Sequence, residues 1–117
     1  MVFGSLAHAV MNLVVSSAPA VTTNAVSGLT VTEATLNANL TNTGTASTLT
    51  TGFEYGLTTA YGSMVAGAPP TLTTAGAFTA SLTGLTPNTL YHYRAEAVGG
   101  STVYGNDQTL TTLVWCF

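Results

Sequence analysis

The sequence predicts one all-β domain, a seven-stranded antiparallel sandwich, with a short apolar segment at each end. Three observations predict this fold. Short runs of alternating apolar and polar residues recur along the chain, turn residues separate them at intervals of roughly 8–12 residues, and no helical pattern of domain size is present. The chain has 117 residues, of which 46% are hydrophobic, so one ordinary core can be filled. We expect an N-terminal segment over residues 1–18, a sandwich over 19–112 and a tail over 113–117.

The strands are predicted from period-2 alternation, in which every second side chain is apolar and faces the core. The clearest run places Ala34, Leu36, Ala38 and Leu40 on one face of a strand and polar residues on the other. The approximate positions of the seven strands are Ala20–Ser27, Ala34–Thr41, Thr50–Tyr55, Ala60–Val65, the run that contains Phe78, Ala80 and Leu82, Tyr91–Val98, and Thr102–Thr112.

Glycine, proline and asparagine mark the connections between these strands. Gly99-Gly100 predicts a hairpin between the last two strands. Asn42-Thr43-Gly44 predicts a loop after the second strand. Gly67-Ala68-Pro69-Pro70 predicts another loop, because consecutive prolines cannot donate hydrogen bonds to a ladder.

The connection before the Tyr91 strand has a more specific pattern. Gly84 and Pro87-Asn88 interrupt the chain there, and the alternation resumes at Tyr91. The spacing of Leu85, Pro87 and Tyr91 resembles the tyrosine corner of immunoglobulin-like sandwiches, in which the Tyr hydroxyl bonds to the backbone upstream.

Taken together, these motifs make the chain resemble a fibronectin type III domain of the bacterial surface and phage variety. The likeness covers about residues 19–112, and one departure is that the second strand has Leu36 and Ala38 where many relatives place a core Trp. The resemblance implies a binding, spacing or assembly module without a common active site. The motifs that carry it are Ala34-Thr35-Leu36-Asn37-Ala38, Phe53-Glu54-Tyr55-Gly56, Ala60-Tyr61-Gly62-Ser63, the Gly84-to-Arg94 corner and Tyr104-Gly105-Asn106-Asp107-Gln108-Thr109.

Composition excludes several classes of partner. Only 4% of the residues are charged, with one basic residue and a net charge of −3. A single Arg cannot neutralise a run of phosphates, so we expect no nucleic-acid binding. The same count rules out a polybasic membrane anchor. Cys116 is the one cysteine, which excludes an intrachain disulfide and leaves open a buried thiol or an intermolecular bond.

The candidate polar site lies on the outward face of the Tyr91 strand. His92, Arg94 and Glu96 share that face, and Glu54 on the neighbouring strand can oppose one of them. A small ionic ligand site is one reading, and a surface salt-bridge ladder is the favoured one. The sequence has no phosphate loop, carboxylate pair or metal-ligand spacing, so we expect neither enzymatic activity nor a cofactor or metal.

Residues 1–17 form an apolar segment of a different character. Its spacing predicts a helix, although Gly4 weakens that pattern and the end at Val14-Val15 suits an extended chain as well. Three explanations compete: a secretory signal, which would need a basic n-region; a membrane span, which would need about 20 apolar residues; and a segment that packs on another chain. The apolar face comprises Val2, Phe3, Leu6, Ala7, Val10, Leu13 and Val14.

The C-terminus is also apolar, ending in Leu113-Val114-Trp115-Cys116-Phe117. Both ends could fold back onto their own sandwich, or they could dock on neighbouring copies. We favour docking, because few Lys or Pro residues guard the strand edges against association. The candidate assembly residues are Val2, Phe3, Leu6, Val10, Leu13, Val14, Leu113, Val114, Trp115 and Phe117.

The function predicted from these features is a non-enzymatic structural subunit. Copies would join through their apolar ends into an extracellular filament, sheath or virion-like shell. The alternative is a surface adhesion or carbohydrate-associated binding module that uses the loops at Asn42–Gly44 and Gly67–Pro70. A spacer within a larger surface protein is a third reading, against which the apolar ends argue. The Asn39-Leu40-Thr41 sequon predicts a glycosylation acceptor at Asn39.

Overall fold

The computed structural model describes residues 18–115, and all of the regular structure in this range is antiparallel β. The helix predicted over residues 1–17, and the assembly residue Phe117, lie outside the described residues. Within the described range there is no helix that could cross a membrane. The strands are β1 (Ala20–Thr23), β2 (Ala34–Asn42), β3 (Leu49–Gly56), β4 (Ser63–Leu72), β5 (Gly76–Leu82), β6 (Leu90–Gly99), β7 (Ser101–Tyr104) and β8 (Gln108–Thr111).

The strands form one sheet that curls until its two ends approach each other. Their order is β1-β2-β5-β4-β3-β6-β7, and β8 pairs with β6 further along the same edge as β7. Strand β4 pairs extensively with β3 and meets β5 at the Ala68–Thr79 pair. At the ends of the order, the Ala95 N–H donates to the Thr23 hydroxyl at 2.9 Å, which fastens β1 to β6. The sheet is therefore nearly closed into a barrel.

The interior is filled by the apolar faces of β2, β3, β5 and β6, in agreement with the alternation seen in the sequence. Phe53 and Phe78 meet at the centre, with ring centroids 5.3 Å apart and a tilted geometry that suits aromatic pairs. Tyr93 is fully buried, and its hydroxyl donates to the Asn24 carbonyl at 2.7 Å. The buried apolar residues are Ala34, Leu36, Ala38, Leu40, Leu49, Phe53, Phe78, Ala80, Leu82, Leu85, Tyr91, Tyr93, Ala95, Ala97 and Leu110.

The corner between β5 and β6 has the hydrogen bond that its spacing suggested. The Thr86 N–H donates to the Tyr91 hydroxyl at 2.9 Å, which is the bond to the upstream backbone that a tyrosine corner makes. Asn88 has a φ of 52°, a left-handed conformation that Asn tolerates better than most residues. Buried Thr112 completes the corner by donating its hydroxyl to the Thr86 carbonyl at 2.6 Å.

The last strand departs from the prediction. Residues 102–112 do not form one strand, because the chain leaves the ladder at residues 105–107 and divides into β7 and β8. At Gly105 the backbone N–H donates to the Ala95 carbonyl at 2.9 Å. A Cβ atom at this position would collide with Thr23, so only glycine allows β1 to approach this closely. The described range has eight strands in consequence, where seven were predicted.

The double proline also departs from the prediction, because Pro69 and Pro70 lie inside β4 and not in a loop. The register explains how the ladder tolerates them. Gly52 pairs with Ala66 and Thr50 pairs with Thr71, so the intervening residues of β4 bulge opposite Thr51 alone. No ladder donor is needed from either proline there. The Thr51 hydroxyl donates to the Pro69 carbonyl at 2.6 Å, and the Ala68–Pro69 peptide bond is cis.

Two strands lack residues that the sequence predicts at one of their ends. β1 ends at Thr23, after which a single bridge between Ser27 and Thr35 continues the pairing. The strand predicted from Ala60 begins at Ser63, because Tyr61 has a φ of 60° and Gly62 a φ of 105°, which keep both residues in the turn.

The domain has two poles, which are defined by its connections. The hairpin pole contains the loop of residues 43–48 and the β6–β7 hairpin, and β1 begins there because Ala20 pairs with Asn42. The corner pole contains the loop of residues 57–62 and the corner of residues 83–89, and β8 ends there because Thr111 pairs with Leu90. The segment that precedes the domain and the tail that follows it are therefore attached at opposite poles.

We predict that Tyr91→Phe lowers the free energy of unfolding by about 1 kcal/mol, because the Thr86 N–H loses its acceptor. The matched control is Tyr104→Phe, since the Tyr104 hydroxyl makes no hydrogen bond within the described residues. Urea unfolding followed by tyrosine fluorescence measures both variants. Equal losses in the two would contradict a stabilising corner bond.

Candidate functional site

Charged residues are concentrated on one face of a domain that has very few of them. The chain has one basic and four acidic residues, and Glu33 is the one that lies elsewhere. The others meet on the outward faces of β3 and β6 and at the turn between β7 and β8. We call this group the Arg94 cluster, and it comprises Glu54, Tyr61, His92, Arg94, Glu96, Tyr104 and Asp107.

Arg94 lies at the centre of the cluster. It is the direct cross-strand partner of Glu54, whose Oε1 accepts from Arg94 Nε at 2.8 Å and lies 2.7 Å from Nη2. The guanidinium carbon is 3.6 Å from the centroid of the Tyr104 ring and 4.6 Å from that of Tyr61. The planar cation is thus held by one carboxylate and two aromatic rings, an arrangement that suits Arg better than Lys.

Asp107 forms the second half of the cluster. Its Oδ1 accepts from the Tyr61 hydroxyl at 2.8 Å, and its Oδ2 is hydrogen-bonded to His92 Nδ1 at 2.9 Å. Partial burial acts to raise the pKa of the Asp107 carboxyl group, but the hydrogen bonds from His92 and Tyr61 outweigh it. The pKa of Asp107 therefore lies below its ordinary value.

Two neighbouring groups have raised pKa values. Burial, followed by the hydrogen bond and the negative charge of Asp107, raises the pKa of Tyr61 from 10.0 to about 12. Burial, followed by repulsion from Glu54, raises the pKa of Glu96, and the attraction of Arg94 partly offsets the rise. Tyr61 therefore stays a neutral hydrogen-bond donor at any physiological pH.

The cluster connects chain segments and offers little to a ligand. Arg94 is paired with Glu54, and Asp107 is paired with Tyr61 and His92, so these charges are satisfied from within. Residues 18–115 contain no group of three or more His, Cys, Asp or Glu that could hold a metal ion. What the arrangement does is fix Tyr61, and with it the loop of residues 57–62, against β6 and the β7–β8 turn.

One half of this cluster is predictable from the sequence. The shared outward face of His92, Arg94 and Glu96 occurs as expected, and Glu54 opposes one of the three, which the register shows to be Arg94. The sequence pattern does not point to Tyr61, Tyr104 or Asp107. Tyr104 could have been found from the Gly99-Gly100 hairpin, since counting back from that turn pairs it with Glu96.

Beside the cluster, the corner pole has a groove with a volume of about 620 Å³, which we call the tyrosine groove. Its size is in the range of small-molecule and peptide sites. None of the described residues that line it carries a formal charge. They are Tyr55, Gly56, Leu57, Thr58, Tyr61, Gly62, Ser63, Thr86, Thr89 and Tyr91.

The walls of the tyrosine groove are held in place by bonds outside it. Tyr61 is fixed by Asp107 and by the ring contact with Arg94, and Tyr91 is fixed by the corner. The backbone of Tyr61 passes so close to Gly56 that a Cβ atom there would collide with it. The groove is therefore preformed, which lowers the entropy that any occupant must overcome on binding.

The apolar tail leaves the domain at the same pole. Leu113 is tied by its backbone, which donates to the Thr30 carbonyl and accepts from the Asn88 N–H, both at 3.1 Å. Its side chain is 49% exposed, and Val114 and Trp115 are 57% and 60% exposed. This part of the tail does not fold back into the core. Val2, Phe3, Leu6, Val10, Leu13 and Val14 lie outside the described residues.

The other candidate sites can be placed briefly. Asn39 of the sequon is exposed on β2 and accessible for modification. The residues Gly67–Pro70, which the sequence predicts to be a binding loop, belong to β4. His8 and Cys116 lie outside the described residues.

Comparison with known proteins gives a likeness of fold alone. No family model and no curated protein matches the chain. Among solved structures, the chain is similar to the sensor domain of the anti-sigma factor RsgI4 of Pseudobacteroides cellulosolvens. The short form of that domain has a TM-score of 0.66 at 19% identity, covering 87% of this chain and 100% of that one. The long form has a TM-score of 0.63 at 16% identity, covering 86% and 94%. A solution structure of the domain has a TM-score of 0.65 at 17% identity, covering 83% and 76%.

We predict that Arg94→Lys lowers the free energy of unfolding by about 1 kcal/mol, because a lysine keeps the charge but loses the planar stack on Tyr104 and Tyr61. In a Tyr104→Leu background the same substitution should lower the free energy of unfolding by a smaller amount, because part of the stack is already absent. Chemical unfolding of the four chains gives this coupling. An unchanged cost would contradict a contribution from the stack.

We predict that Asp107 contributes to acid sensitivity. Its folded pKa lies below the ordinary value of 3.8, so its contribution to stability is present above that pH and is lost as the pH falls through the folded pKa. The pKa of Glu96 is raised in the folded chain, so its effect on stability changes with pH in the opposite direction. Unfolding by urea between about pH 5 and pH 2 should show a shallower loss of stability in Asp107→Asn than in the unsubstituted chain. Identical slopes would contradict the assignment.

Proposed function

We propose that the domain is a fibronectin type III-like sandwich. The strand order supports this, because β1, β2 and β5 form one group, and β4, β3, β6, β7 and β8 form the other. Between the two groups, β4 and β5 are paired at Ala68 and Thr79. Phe53 of one group packs on Phe78 of the other. The corner hydrogen bond at Tyr91 is a further feature of such sandwiches.

We propose that this sandwich is the body of a structural subunit that assembles with copies of itself. The observation that carries the proposal is the exposure of Leu113, Val114 and Trp115 outside the core. Each large apolar side chain gains about 1.5–3 kcal/mol when it is fully buried, so three adjacent ones favour a covered position. A neighbouring copy supplies that cover.

The positions of the two ends fit a linear assembly. The apolar N-terminal segment joins the domain at the hairpin pole, and the tail leaves from the corner pole. A contact between unlike poles is heterologous, and repeated without closure it builds a filament or sheath. The strand edges, which the sequence predicts to be open to association, are covered in part, since Thr23 of β1 lies against Gly105 beside β7. This leaves little room for a new strand there and favours contacts through the poles.

We further propose that the subunit works outside the cell, at the cell surface or in a virion, without enzymatic activity, cofactor or nucleic acid. The near absence of charge supports this, because a chain with one Arg and a net charge of −3 lacks a phosphate-binding surface. The polarity of the exterior comes from hydroxyl groups instead, which form hydrogen bonds with water. Low charge also reduces the repulsion between copies in a polymer.

The alternative function, a binding module, gains support from the tyrosine groove. Aromatic faces with hydroxyl groups nearby suit a neutral carbohydrate, and Tyr55, Tyr61 and Thr58 provide both kinds of group. This site is at the corner pole and not at residues 42–44 and 67–70, which the sequence indicates for that role.

The test of self-assembly places charges in the N-terminal segment of the full chain. We predict that Leu6→Asp/Val10→Asp shifts the chain from polymers to monomers in sedimentation velocity runs, because a buried charge without a partner is strongly unfavourable. The matched control is Ser5→Asp/Asn12→Asp, which adds the same charges on the opposite face of the predicted helix and should leave the polymers intact.

A monomeric unsubstituted chain at micromolar concentration would contradict the structural proposal. If that monomer also changed its tyrosine fluorescence on addition of neutral oligosaccharides, the binding module would take its place. Loss of polymers in both double variants would mean that added charge alone, and not the apolar face, prevents assembly.

A further inference from the structure

The polarity of the two poles indicates which occupant suits the tyrosine groove. The corner pole carries both the groove and the exposed apolar residues 113–115, and Leu57, which lines the groove, is 62% exposed. At the hairpin pole, the concave surface is made mainly of hydroxyl-bearing and small residues: Thr45, Ala46, Ser47, Thr48, Gly99, Gly100 and Ser101. The pole at which residues 1–17 are attached therefore offers their apolar side chains little cover.

A domain length separates the attachment point of residues 1–17 from the groove of the same chain. Strand β6 runs from the corner pole to the hairpin pole over ten residues, which is roughly 30 Å at the rise of a β-strand. When copies stack pole to pole, the attachment point of the segment in one copy lies beside the groove of the next.

We propose that the tyrosine groove receives the apolar face of residues 1–17 from a second copy of the chain, head to tail. This inference rests on the self-assembly proposed above and assigns its contact. The apolar residues of the segment, such as Phe3, Leu6 and Val10, would lie against Tyr55, Tyr61 and Leu57. Thr86 and Thr89, which also line the groove, carry hydroxyl groups that suit the polar residues at the margins of the segment.

The groove matches this occupant in charge and in rigidity. Residues 1–17 contain no Asp, Glu, Lys or Arg, and no lining residue of the groove carries a formal charge. The contact can therefore be dry without burying an unpaired charge, which is the usual obstacle to a stable interface. The preformed walls mean that only the incoming segment has to be ordered. The exposed Val114 and Trp115 at the same pole extend the apolar surface.

The test uses the full chain with a photoreactive benzoylphenylalanine in place of Thr58, which is exposed at the groove. The matched control carries the same group in place of Asn39, exposed in the middle of β2. Equal amounts of ¹⁵N-labelled and unlabelled chains are mixed before irradiation, and mass spectrometry identifies the joined peptides. We expect position 58 to capture residues 1–17 of a differently labelled copy, and position 39 to capture none of them.

A second variant tests the groove energetically. Leu57→Asp should raise the concentration needed for half-maximal assembly by about tenfold or more, the equivalent of one buried large apolar side chain. Asn39→Asp, which adds the same charge on the sheet face, should leave that concentration unchanged. Circular dichroism confirms that each variant is folded.

The outcomes separate this inference from the proposal beneath it. The groove assignment would be overturned, and self-assembly left standing, if polymers formed equally well with Leu57→Asp. Links from position 58 to the same chain or to residues 113–117, in place of the segment, would have the same meaning. An unsubstituted chain that stays monomeric would overturn both.

Discussion

The alternation of side chains along β6 is the constraint on which the rest of the described domain depends. Its inward residues Tyr91 and Tyr93 fill the interior, and their hydroxyl groups bond to the corner and to the Asn24 carbonyl. Its outward residues His92 and Arg94 hold the loop of residues 57–62 and the β7–β8 turn. A slip of one residue would exchange these faces, bury the only Arg and expose the tyrosines, so the register is strongly determined.

The few charged groups of the chain are concentrated where they connect separate segments. Both ion pairs found among residues 18–115 belong to the Arg94 cluster. The cluster therefore holds the loop of residues 57–62 in place, and this loop shapes the groove beside it. The apolar residues that are exposed lie mainly at the corner pole, whereas the hairpin pole is rich in hydroxyl groups. This difference between the poles is the physical basis of the proposed head-to-tail contact, because an apolar segment gains little on a hydroxyl-rich surface and much in an aromatic groove.

The sequence predicted the features that depend on local pattern. The strands with strict alternation and the hairpin at Gly99-Gly100 follow from side-chain period and turn chemistry, and both occur. The position of Glu54 opposite the polar face of β6 follows in the same way, and the register identifies Arg94 as its partner. The features that the sequence does not predict depend on contacts between distant parts of the chain. Gly105 interrupts the last strand because β1 lies against it, Pro69 fits into β4 because the bulge opposite Thr51 releases it from the ladder, and Tyr61 joins the Arg94 cluster through a left-handed turn. None of these tertiary relations leaves a signal in residue spacing.

In the proposed assembly, copies join pole to pole through the N-terminal segment. A cryo-electron microscopy reconstruction of polymers of the full chain would reveal this contact. We expect the long axis of each domain to follow the polymer axis, with density for residues 1–17 of one copy in the tyrosine groove of the next. Polymers built by side-by-side pairing of strands, with that groove empty, would contradict it.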